Sequence, residues 1–109
     1  MAWLVREGDV LATAEIADTK RARRRGLIGR PEFEGALVLP SCRHVHTFFM
    51  RFPIDVAFCD RNGTVLRTCR LRPWRVSPLV RTGAFAIEAE AGAFERWGLR
   101  AGDEVEVKE

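Results

Sequence analysis

The sequence predicts an α+β fold that is mostly β, a small antiparallel barrel or half-barrel with one short N-terminal helix and a C-terminal helical turn. Three observations predict it. Short apolar and β-branched segments recur along the chain, each closed by Gly, Pro, Asn or Asp. Asn62-Gly63 joins two such segments and is the strongest short-range signal of a hairpin. One arginine-rich stretch behind Asp18-Thr19 offers the only extended helix signal, with too little apolar surface to form a core of its own.

Trp3 to Arg6 and Val10 to Ile16 read as strands joined by a turn at Gly8-Asp9. Asp18-Thr19 offers an N-cap, and a short helix follows over Lys20 to Leu27, which Gly26 or Gly29 can end. Only Ala22, Leu27 and Ile28 can anchor that helix, so it belongs at the periphery. Ala36 to Leu39, closed by Pro40, reads as a buried strand, and Arg43 to Phe49 as another. Ile54, Val56 and Phe58 alternate with Asp55, Ala57 and Cys59, the period of a strand with one apolar face. The chain turns at Asp60 to Gly63 and returns from Thr64 to about Leu71. Pro73 and Pro78 bracket an irregular crossing that contains Trp74, Val76 and Leu79. Ala84 to Glu90 is a further strand, Gly92 to Trp97 makes one or two helical turns closed by Gly98, and Val105 to Val107 is the last strand. The helical segments would cover sheet edges that otherwise invite aggregation.

A chain of 109 residues is the size of one domain, so residues 1–109 are expected to share a single core. Cys42, Cys59 and Cys69 are an odd set without paired spacing, which suits a reducing compartment. Ala2 to Val5 is too short for the apolar region of a signal peptide, and no run reaches the roughly 20 apolar residues of a membrane span. A cytoplasmic protein without membrane association is expected. The net charge of +3 hides an asymmetry, because residues 82–109 are acid-rich and the remainder basic. Lys20 to Arg25 places cations all round a short helix, a pattern that suits phosphate. No nucleic-acid motif accompanies it, so a solvated face is the favoured reading and nucleic acid the lesser one.

The richest chemistry lies in Ser41 to Met50. On a strand, Cys42, His44 and His46 would share one face, and Met50 would add a thioether, a soft set for copper or zinc. No Cys-x-x-Cys or second ligand pair completes it, so these four are weak metal candidates and no cofactor is expected. A hydrolase-like alternative takes Cys42 or Ser41 as nucleophile, His46 as base and Asp55 as orienter, although no glycine-rich elbow surrounds either nucleophile. Asp55 and Glu88 each sit between apolar neighbours where a strand enters the core. A buried carboxylate needs a partner. For Asp55 the structural reading is an ion pair with an arginine, Arg23 or Arg30, or acceptance of backbone N–H groups, and the functional one an acid or base in a pocket.

Several segments together resemble a known family. Arg23 to Arg30 resembles an Arg-x-x-Gly-Leu-Met-x-Arg signature, with Ile28 at the Met position. His46 to Phe58 resembles a His-Thr-x-x-Met-x-x-x-Ile-Asp-Val-x-Phe segment, and Ile87-Glu88, Gly92 and Leu99 to Asp103 match a C-terminal pattern. From about Ala12 to Val107 the chain is similar to domain-of-unknown-function family 192 (DUF192), an uncharacterised bacterial and archaeal group. The resemblance implies a compact β-rich fold and draws attention to Arg23, Arg30, His46, Met50, Asp55 and Glu88. The expected function is a non-catalytic module that binds a small molecule or peptide in a polar pocket. Arg23, Arg30, His46, Thr47, Met50, Asp55 and Glu88 are its candidate ligand-binding residues, and no residue is assigned a catalytic role.

Overall fold

A computed structural model describes residues 1–109. The strands are β1 (Ala2–Arg6), β2 (Asp9–Ile16), β3 (Ala36–Pro40), β4 (Ile54–Cys59), β5 (Val65–Leu71), β6 (Phe85–Glu90) and β7 (Glu106–Lys108). Two short helices, α1 (Lys20–Arg25) and α2 (Ala93–Trp97), interrupt them. All seven strands form one sheet in the order β5-β4-β6-β3-β2-β1-β7. Every pairing is antiparallel except β2 with β3, which follows from the crossover through α1. The sheet curls without closing. At its ends Thr64 and Glu104 form a single bridge, and the Val65 N–H donates to the Asp103 carbonyl at 2.8 Å.

Local chemistry explains most elements. The Thr19 hydroxyl accepts from the Ala22 N–H at 3.0 Å and starts α1. Gly26, at φ 51° and ψ −128°, stops it in a conformation that essentially only glycine adopts. No residue of α1 is buried, so Leu27, just beyond it and fully buried, is the anchor. In the β4–β5 hairpin one Asp60 carboxylate oxygen accepts from the N–H groups of Asn62 and Thr64, and Gly63 takes φ 88°. A Cβ on Gly63 would lie 2.1 Å from the Val105 carbonyl oxygen, so this turn is also where the sheet ends meet.

Two sequence expectations change. Every residue of β4 is buried, on both faces, because β4 lies between β5 and β6 with a packed layer on each side. Ile54, Val56 and Phe58 pack with Leu27, Leu39, Val45 and Met50, whereas Ala57 and Cys59 pack with Ala93, Phe94 and Leu99. Arg43 to Phe49 forms no strand. Beyond one bridge from His46 to Val76, only separate backbone bonds remain, among them those from the N–H groups of Thr47, Ser77 and Val80 to the carbonyls of Arg75, Val45 and Arg43, and side chains add to them. The Ser77 hydroxyl accepts from the Val45 N–H, and the Thr47 hydroxyl takes the Arg72 carbonyl and the Arg75 N–H. No helix is long and apolar enough to cross a membrane.

Candidate functional site

A cavity of about 340 Å³ opens between the α1 turn and the irregular segment after β3. Residues Arg23 to Ile28 form one wall, Cys42, His44, Val45 and His46 the other, and Met50, Leu39 and Glu88 the floor. Glu88 reaches this floor because strand side chains alternate. It pairs with Leu37 and Val56, shares their face, and points to the layer beneath α1.

The Glu88 side chain is the unusual feature. The residue is only 4% exposed, and its Oε1 has no hydrogen-bond partner. A Cβ on Gly26 would stand 3.0 Å from that oxygen, so the glycine that ends α1 also leaves room for the carboxyl. Burial raises the Glu88 pKa from the ordinary 4.5 to about 7. The neighbouring Cys42 thiol is raised as well, first by its own burial and then by the Glu88 charge. Cys42 donates to the His44 carbonyl at 3.2 Å. A thiol held protonated in this way is a poor nucleophile. His46 accepts from the Phe48 N–H at 3.3 Å through Nδ1 and stacks on the Phe48 ring at 4.8 Å.

Of the seven candidate ligand-binding residues, the fold brings together Arg23, His46, Met50 and Glu88. The other three lie elsewhere with partners of their own. Arg30 forms a two-pronged pair with Glu15, at 3.1 and 2.6 Å, and stacks over Phe33. Thr47 is fully buried, and its hydroxyl joins the backbone of Arg72 and Arg75 at 2.5 and 2.9 Å. Asp55 sits on the opposite face of the sheet from Glu88, since it pairs with Ala89 and Val56 pairs with Glu88. Its partner is neither Arg23 nor Arg30 but Arg70, directly across the hairpin, whose Nε donates to Oδ1 at 2.9 Å. Oδ2 accepts from the N–H groups of Gly92 and Phe94 at the start of α2.

This separation removes the hydrolase-like arrangement. His46 and Asp55 face different layers, so no Ser41 or Cys42, His46 and Asp55 relay is assembled. The four soft candidates Cys42, His44, His46 and Met50 all line the cavity, yet no three His, Cys, Asp or Glu side chains converge as a metal ion requires. Sequence reasoning passed over Gly26, Leu27 and Leu39 as parts of this site. Only Gly26 carried a signal, as a helix stop directly followed by an apolar anchor.

Comparison with known proteins places the fold. A UPF0127 protein of Thermococcus sibiricus is 37% identical over 98 residues, which are 84% of this chain and 64% of that relative. The chain therefore spans less than two thirds of its length. A UPF0127 protein of Pyrococcus furiosus is 31% identical over 103 residues, 90% of this chain and 89% of the relative. A protein of unknown function from Novosphingobium aromaticivorans shares the fold at a TM-score of 0.80 and 22% identity, covering 96% of this chain and 82% of its own. A protein from Sinorhizobium meliloti described as a candidate transcription regulator does so at 0.83 and 20%, covering 97% and 91%. The family profile described as an uncharacterized ACR matches residues 3–107, and the chain belongs to that family, DUF192.

Proposed function

We propose that this chain is a non-catalytic binding module that takes a small molecule, or the end of a peptide, in the cavity between α1 and the segment 42–50. One observation carries the reading: the buried Glu88 carboxyl lines the cavity with Oε1 unpartnered. A buried polar atom without a partner costs roughly 1–3 kcal/mol, so folded proteins seldom retain one without a use. A ligand with an ammonium or amide N–H would offer the carboxyl a donor through the part of Glu88 that still reaches the cavity, Oε1 itself being closed off. Apolar walls from Leu27, Ile28, Leu39 and Met50 would hold a short aliphatic or aromatic body, and Arg23 and Arg24 would meet an anionic end.

The test uses protein-observed NMR with primary amines carrying an anionic tail, such as β-alanine, taurine and phosphoethanolamine, and with amide-bearing dipeptides. Binding should perturb the resonances of Gly26, Cys42 and Glu88 and disappear in Glu88→Gln. A full set of such probes that leaves those resonances unmoved at millimolar concentration would defeat the proposal. Equal binding by Glu88→Gln would remove Glu88 from it.

A further inference from the structure

A second surface, which shares Arg23 and Arg24 with the cavity but does not include Glu88, is built at the turns 47–50 and 73–79. Phe49 is 67% exposed, Trp74 54%, Val76 56%, Leu79 57% and Phe48 37%. Single exposed apolar side chains are ordinary, but Phe48, Phe49 and Trp74 form one group of rings. The Phe49 and Trp74 ring centres lie 4.6 Å apart, and Phe48 stands 6.0 Å from Trp74. Phe49 and Trp74 each have φ 66°, a left-handed conformation that bulky residues avoid. Thr47 enforces it. Its N–H donates to the Arg75 carbonyl at 2.8 Å, while its own carbonyl accepts from Met50 at 3.1 Å and from Trp74 at 2.9 Å. A single buried residue thus clamps both turns and holds two strained rings outward.

The segments that build the ridge carry charge of one sign. No acid occurs between Gly35 and Ile54, nor between Arg61 and Ile87, the two stretches that build the ridge. Arg51, Arg72 and Arg75 are exposed within those turns. Leu79 also borders a furrow of about 510 Å³ lined by Lys20, Arg23, Arg24 and Arg43. Exposed ring faces beside a basic furrow match the two needs of an unpaired polynucleotide, flat bases to stack and phosphates to neutralise. A duplex hides its base faces, and a flat bilayer cannot follow the furrow.

We infer that the Phe48, Phe49 and Trp74 ridge and the adjoining arginine furrow form a binding surface for single-stranded nucleic acid, read by stacking and charge without base-edge recognition. Fluorescence anisotropy with a labelled oligothymidylate of about twelve nucleotides tests it. Binding is expected near 50 mM salt and should weaken steeply by about 200 mM, with a hairpin duplex of equal length bound less well. Phe49→Gly removes a ring and relieves its backbone, so it should keep or raise the melting temperature. It should weaken binding roughly 5- to 150-fold without changing the salt slope. Arg75→Gln should reduce that slope by about 0.7. Glu88→Gln should bind the oligonucleotide as wild type does, because Glu88 borders the cavity and not the furrow, whereas Arg23 and Arg24 border both.

Three results would overturn the inference: no binding at low salt, equal affinity for duplex, or full affinity in a folded Phe49→Gly and Trp74→Gly pair. Sedimentation of the protein with phosphatidylserine–phosphatidylcholine vesicles, in the absence of oligothymidylate binding, would overturn it in favour of a lipid surface.

Discussion

Replacing Glu88 by Gln should change the pH dependence of stability between pH 4.5 and 8.5. Burial lifts the Glu88 pKa from 4.5 to about 7, because the carboxylate form is deprived of water and receives no hydrogen bond at Oε1. An acid whose pKa rises on folding binds its proton more tightly in the folded state. Its contribution to stability is therefore complete below pH 4.5 and is lost as the pH climbs through about 7. At about 1.4 kcal/mol per pH decade, the loss above pH 7 amounts to about 3 kcal/mol. Gln is a neutral isostere of the protonated acid and carries no such loss.

Melting curves of both proteins between pH 4.5 and 8.5 read the difference directly. The two should nearly coincide at pH 4.5. By pH 8 the Gln variant should melt roughly 10–20 °C higher, given several degrees per kcal/mol for a chain of this size. Carbon-13 NMR of the Glu88 carboxyl gives a second reading, with a midpoint near 7. Parallel curves would refute the reasoning, because they mean that Glu88 ionises without penalty in the folded protein.

Other substitutions separate structural groups from the cavity. Asp55→Asn should cost roughly 2–4 kcal/mol in urea unfolding, since the buried carboxylate serves two α2 N–H groups and Arg70 at once. Arg70→Gln, at the exposed end of that pair, should cost far less, and the reverse order would contradict the assignment. Gly63→Ala should lose at least about 3 kcal/mol, because its methyl would meet the Val105 carbonyl oxygen at 2.1 Å on a backbone of φ 88°. Near-native stability in this variant would mean that the sheet ends do not meet there. Burial first, then the Asp60 charge, pushes the Cys59 thiol up to about 12. It should therefore resist Ellman's reagent at pH 8 in the native protein, while the less buried Cys42 and Cys69, whose thiols burial also raises, react slowly and all three react fast in denaturant.

What could be read from the sequence was local. The Asn62-Gly63 hairpin, the Thr19 cap and the Gly98 stop are each fixed by residues within a few positions of one another, and the structure has all three. The strand expected over Arg43 to Phe49 shrinks to one bridge because its few backbone bonds to residues 74–80 are interspersed with bonds from the Thr47 and Ser77 side chains, which an alternation pattern cannot register. The partner of Asp55 lay closer to hand. Arg70 is its cross-strand neighbour in the same hairpin, so pairing outward from the turn could have found it where distant arginines were considered instead. Glu88 had no such local clue. Its place beneath α1 depends on β6 lying between β3 and β4, a long-range arrangement that no short window of sequence contains.

In sequence, Asp55 and Glu88 look like the same event, an acid flanked by apolar residues in a strand, yet the fold treats them oppositely. Adjacent strands in register place Asp55 opposite Ala89 and Glu88 opposite Val56, so the side chains leave the sheet on different sides. Asp55 enters the layer beside α2 and finds a guanidinium and two backbone donors, which account for its charge completely. Glu88 enters the layer beneath α1, where a glycine makes room for it and one oxygen is left unpartnered. A carboxylate that needs nothing more is explained by the fold that surrounds it. One left unpartnered at the floor of a cavity imposes a cost that folding alone does not recover, and an incoming donor would recover it. Ligand binding is therefore sought at Glu88, even though Asp55 has the more elaborate contacts.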